Sequence, residues 1–156
     1  MKRKLYLDAS VIGGYFDGEF KAETRKLWKL MEQGHYEFHT SAVTVDELLN
    51  APESVTRLFA KAFPAPQSIL RDSPEIRELA AEYIANNVVG EKSFDDARHV
   101  ATCTLSGIVL LVSWNFKHLA NFNKESGFNH INRLNGYAEV RILSPRELVY
   151  GHEENI

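Results

Sequence analysis

Lys4-Leu5-Tyr6-Leu7-Asp8, running straight into Ala9-Ser10-Val11-Ile12-Gly13-Gly14-Tyr15-Phe16, is the stretch that decides the fold. Its apolar run is short and ends on a carboxylate, so residues 4–8 read as a buried strand. Gly13-Gly14 then signals tight packing or a kink near a helix start. A second run, Ile108 to Val112, shows no polar alternation and reads as a strand buried on both faces. Tyr36 to Thr40 alternates as a further strand, and Val140 to Leu143 is the last.

Helical patterns fill the gaps. Phe20 to Gln33 keeps Leu27, Leu30 and Met31 at helical spacing, with Gly34 as the stop and a basic face of Lys21, Arg25 and Lys29. Ser41 to Ala51 reads as a helix capped by Thr40 or Ser41 and ended by Pro52, and Glu53 to Phe63 as another. Asp72-Ser73-Pro74-Glu75 is the best capping signal in the chain and opens a helix to about Asn87. Phe94 to Ser106 is a helix stopped at Gly107; Phe116 to Asn135 holds one or two, with a break near Gly127. Ser144-Pro145 starts a terminal helical turn. Strands alternating with helices make the class α/β with a short, mostly parallel central sheet. Residues 1–150 read as a single domain and 151–156 as a short C-terminal tail.

Composition narrows the function. With 156 residues, 44% hydrophobic and 25% charged, the chain is of ordinary globular make-up, which excludes disordered and collagen-like classes. A lone Cys103 allows no internal disulfide. The basic start Met1-Lys2-Arg3-Lys4 is followed too soon by Asp8 for a signal peptide, and no apolar run approaches the roughly 20 residues of a membrane span. The expected address is cytoplasmic, with no membrane contact. A formal charge of −3 excludes a broadly basic nucleic-acid coat protein, so any nucleic acid would be met through a local basic rim or a bound metal.

In parallel α/β sheets the ligand crevice lies beyond the C-terminal strand ends. Asp8 ends the first strand there, and Asn115 follows the Ile108–Val112 strand. Glu47 lies one or two turns into the helix after the second strand and reaches the same edge. Of the adjacent pair Asp95 and Asp96, helical spacing turns Asp96 toward the apolar stripe Phe94, Ala97, Ala101. Asp95 stands three and four residues before Arg98 and His99, the pattern of a solvated face, and is an outer helper or a surface charge. Converging carboxylates repel: two unit charges 4 Å apart cost about 1 kcal/mol in water and about 4 kcal/mol at an effective dielectric near 20. Such a set calls for a cation, and an all-oxygen set suits Mg²⁺ or Mn²⁺. Each residue also has a plain structural use: Asp8 as a helix cap, Glu47 as a surface charge, Asp95 and Asp96 as complements to a helix dipole.

These residues resemble the PIN-domain family, in particular the ribonuclease toxins of VapC type. The resemblance is carried in order by Leu7-Asp8-Ala9-Ser10-Val11, Ser41 to Leu48 with Glu47, Asp96-Ala97-Arg98-His99-Val100-Ala101-Thr102, and Asn115-Phe116-Lys117-His118-Leu119. It implies a three-layer α/β/α fold, Mg²⁺ or Mn²⁺ at the acidic pocket and cleavage of RNA phosphodiesters. It also implies a homodimer and inhibition by a small antitoxin protein. On it, Asp8, Glu47, Asp96 and Asn115 form the catalytic set. Asp8 and Asp96 hold the metal, with Glu47 as a further ligand or positioning the attacking water. Ser10, Asp95, Lys117 and His118 stand as substrate-facing or supporting residues. Asn115 departs from the family, many of whose members carry a carboxylate there; the lost charge weakens the case for a second metal.

Two other functions compete. A PIN-like module without catalysis, holding RNA or a protein, is favoured by Asn115. A phosphohydrolase of haloacid dehalogenase type also uses an Asp ending strand one, but it wants a second Asp where this chain has Ser10. Trp28, Trp114, Phe116 and Phe122 read as core or interface residues, and Cys103 as core.

Overall fold

The computed structural model describes residues 2–154. Five strands, β1 (Arg3–Leu7), β2 (Tyr36–Ser41), β3 (Ile69–Leu70), β4 (Leu110–Val112) and β5 (Arg141–Leu143), form one sheet in the order β3-β2-β1-β4-β5. Every pairing among them is parallel. The order reverses direction between β1 and β4, whose register sets Leu7 opposite Val112. Beyond such C-terminal ends is where open α/β sheets meet their ligands, and there Asp8 and Ser113 emerge side by side.

Alternation along the strands sorts the helices into layers. Leu5, Leu7, Leu110 and Val112 point into one core with α1 (Ala9–Gly14), α2 (Lys21–Glu32), α4 (Glu53–Ala62) and α8 (Pro145–Glu154). Tyr6, Leu111 and Ile142 point the other way, against α5 (Pro74–Ala85), α6 (Phe94–Ser106) and α7 (Phe122–Leu134). The result is the three-layer α/β/α arrangement. A short α3 (Ala42–Glu47) runs on from β2 at the crevice.

The differences from the sequence reading are local and have physical reasons. β3 is only two residues long, which leaves no alternation to read. α3 stops at Glu47, well before Pro52, because the chain turns there to begin α4. α7 starts at Phe122 and runs unbroken through Gly127, which is held in contact with Val88; a Cβ there would stand 3.0 Å from Val88 Cγ1. The run Ile108–Val112 pairs only from Leu110, and Val109 is half exposed at the sheet's N-terminal rim. The terminal turn is a ten-residue helix packed on α2. Where the reading held, single residues explain it: Ser73 caps α5 through Ile76 N, and Gly107 stops α6 with a left-handed φ of 72°. Cys103 is a fully buried core residue. Among the described residues no helix is long and apolar enough to cross a membrane.

Candidate active site

Asp8 is the centre. It leaves β1 in an extended conformation and caps α1, its Oδ1 accepting from Val11 N at 3.3 Å. Ser10 Oγ donates to the same oxygen and Ser113 Oγ to Oδ2, both at 2.6 Å. Each hydroxyl in turn accepts a backbone N–H from the loop after β4, Ser10 from Trp114 and Ser113 from Asn115, at 2.9 Å each. The loop thus hangs from the Asp8 carboxylate. Burial pushes the Asp8 carboxyl above the usual range and the Glu47 charge adds to it, against the pull of His99 and the two serine hydroxyls.

Asp96, in the first turn of α6, is half-buried beside it. Burial raises its pKa too, and the charges of Asp8 and Glu47 raise it further, while His99 and His118 pull it back. Asn115 donates Nδ2–H to Asp96 Oδ2 at 3.4 Å, and its Oδ1 accepts from His118 N at 3.0 Å. The Asn115 amide therefore presents its NH₂ end to Asp96, as an orienting donor. Glu47 ends α3 with 30% of its side chain exposed, and its Oε1 lies 2.6 Å from His99 Nε2. His99 is buried; burial lowers its pKa, but the Glu47 bond and the charges of Asp8, Glu47 and Asp96 outweigh that and leave it raised.

Of the residues read from the sequence, Asp8, Ser10, Asp96, Asn115 and Glu47 come together at the crevice, and His118 lies near enough for its charge to act on Asp96. Lys117 is exposed on the same loop. Asp95 turns away, pairing with Arg98 at 3.1 Å in a group that includes Asp72. The solvated face assigned to Arg98 and His99 is only partly so, since His99 is 1% exposed. The sequence reading missed His99, Tyr6, Ser41 and Ser113 as parts of the site. Two spacings could have found two of them: Tyr6 precedes Asp8 by one strand period, and His99 follows Asp96 by one helical turn.

Among the described residues no group of three or more His, Cys, Asp or Glu side chains is gathered closely enough to hold a metal ion. What the crevice offers is a pair, Asp8 and Asp96, each pushed upward in part by the other site charges. Mg²⁺ commonly binds through only one or two carboxylates and keeps its waters, so a pair with oxygen-only chemistry fits it. Zn²⁺ would want Cys or His, and here His99 is engaged on both nitrogens and Cys103 lies in the core.

Carboxylates at the reversal point of a parallel sheet place the molecule among the open α/β proteins whose ligands are met beyond the C-terminal strand ends. Among these, the chain belongs to the PIN-domain family, whose profile matches residues 5–120. No curated protein matches the chain by sequence. Solved structures match by fold. FitAcB from Neisseria gonorrhoeae shares 15% identity over 90% of this chain and 97% of its own, with a TM-score of 0.54. FitAB bound to a DNA fragment shares 15% over 90% and 94%, with a TM-score of 0.53. VapC20 from Mycobacterium tuberculosis, a sarcin–ricin loop cleaving toxin, shares 19% over 88% and 98%, at 0.53.

Proposed function

We propose that this protein is a metal-dependent endoribonuclease of PIN/VapC type and the toxin of a toxin–antitoxin pair. The observation that carries the reading is the convergence of Asp8, Asp96 and Glu47, from three separate elements, with charges that raise one another's cost. The VapC20 and FitAB likeness supports the toxin assignment and a small antitoxin protein as partner; a homodimer in the cytoplasm completes the proposal.

Asp8 and Asp96 would hold Mg²⁺ or Mn²⁺, which supplies charge stabilisation at a phosphodiester and a more acidic water. The chain's own contribution is orientation. Ser10 and Val11 N–H hold Asp8 Oδ1, and Ser113 alone holds Oδ2, which keeps a lone pair for a cation. Asn115 fixes one Asp96 oxygen. Glu47, tied by one oxygen to His99, keeps its second oxygen for a proton of the attacking water. Lys117 brings positive charge toward a phosphate, with His118 beside it as a hydrogen-bonding partner.

The test is cleavage of a mixed structured-RNA pool with Mn²⁺, Mg²⁺ or EDTA, beside Asp8→Asn, which keeps the helix cap. Metal-dependent cutting that disappears in the variant is the expected result. A folded protein that cuts with neither metal would instead be a binding module, with Asn115 as the departure to examine first.

A further inference from the structure

Glu47 ends a six-residue helix with its side chain open to solvent, a position where a glutamate ordinarily swings freely. Here it is tied to the sheet through three bonds in a row. Glu47 Oε1 lies 2.6 Å from His99 Nε2, His99 Nδ1 lies 2.6 Å from Tyr6 Oη, and Tyr6 Oη lies 2.6 Å from Ser41 Oγ. Ser41 already accepts Val43 N–H, so its own proton is free for Tyr6. Against a Glu47 carboxylate the proton of that bond sits on His99 Nε2, and Nδ1 is left to Tyr6 Oη, accepting from the phenol in the neutral ring and donating to it in the imidazolium. Every group in the row has a partner in either protonation state of the ring. Tyr6, Ser41 and His99 are 0%, 2% and 1% exposed. The two rings meet edge to face at 5.5 Å, which fixes the imidazole plane. A core histidine needs only satisfied nitrogens. This one is braced on the inside and spends its other nitrogen on a half-open carboxylate at the crevice.

We infer that His99 is a positioning residue that pins Glu47 beside, and outside, the metal-holding pair Asp8 and Asp96, with Tyr6 as its brace. This rests on the nuclease reading above.

Three variants test it. His99→Asn keeps an amide near the position of Nδ1, able to accept from or donate to Tyr6, but loses the donor to Glu47, whereas His99→Gln reaches Glu47 in place of Nε2. Expected for His99→Asn is a turnover about tenfold to hundredfold lower. Its KM for RNA and its Mn²⁺ affinity by calorimetry should be unchanged. His99→Gln should recover most of the loss, and His99→Asn/Glu47→Gln should be no slower than Glu47→Gln alone. Wild-type turnover in His99→Asn overturns the inference. So does an Mn²⁺ affinity that falls in it as far as in Asp96→Asn, because Glu47 would then be a ligand. Should the unmodified protein cut no RNA, the nuclease reading fails by itself. The pinning is then read from thermal unfolding of the same cycle, where non-additive shifts support it and additive shifts overturn it.

Discussion

At Asp8 the two uses that a carboxylate after a strand can have are combined, since it caps α1 and also faces Asp96 across the crevice. Neither use was separable in the sequence, because both demand the same residue at the same place. Holding such charges together has a thermodynamic sign. Asp96 has a folded-state pKa above its unfolded value, so its ionised form subtracts stability at neutral pH. That cost fades as pH falls through the folded pKa. Asp96→Asn should therefore melt higher than the unmodified protein at pH 7, by about 2–4 °C for each kcal/mol relieved. The gap should close toward pH 4, as differential scanning calorimetry at several pH values would show. Saturating Mn²⁺ should raise the melting point of the unmodified protein and leave that of Asp96→Asn in place; a shift of equal size in both would remove Asp96 from the metal group.

Among elements, helix starts and stops were the most legible, because a single side chain or glycine decides them. Ser73 and Gly107 followed from local rules. β3 and the end of α3 did not, since tertiary pairing with β2 and the turn into α4 set them. The α5–α6 contact shows what lies between. Asp72, just before α5, pairs with Arg77 at 2.7 Å and with Arg98 of α6 at 3.3 Å. Partial burial would raise the Asp72 pKa, but the Arg77 bond and the Arg98 charge outweigh it and hold the carboxyl below its usual range. Its contribution is present above the unfolded value and is lost as pH falls through the lower folded one. Asp72→Asn should cost about 1–2 kcal/mol in urea unfolding at pH 7 and close to nothing once both states are protonated. An undiminished difference in acid would mean that packing, not charge, ties the two helices.

For the whole molecule, the layer architecture could be read from apolar periodicity, whereas the crevice's inner wall could not, because it is assembled across the sheet. Gly14 is the tightest seam. A Cβ there would stand 2.8 Å from Cδ1 and Nε1 of Trp114, whose Nε1–H also donates to Thr24 at 2.9 Å. The indole is part of the loop that carries Ser113 and Asn115. Gly14→Ala should cost about 1–3 kcal/mol and also lower RNA cleavage by displacing the two side chains that orient Asp8 and Asp96. Thermal unfolding and turnover measured together would show both losses, and a stability loss with intact turnover would uncouple the seam from the site.

The β1–β4 pairing has a consequence in time as well as space. Asp8 receives Ser113 across 105 residues, and Tyr6 meets His99 across 93. Contacts this distant close last on a growing or refolding chain, since the entropy of the intervening loop opposes them until the rest has condensed. A ribosome making this protein thus holds a chain whose candidate site does not exist until β4 has emerged and slotted beside β1. Pulse-labelled hydrogen exchange should find the amides of Ser113 and Asn115 protected after those of α5 and α6. On the proposed nuclease reading, the chain would in this way stay inactive for as long as it is still being synthesised.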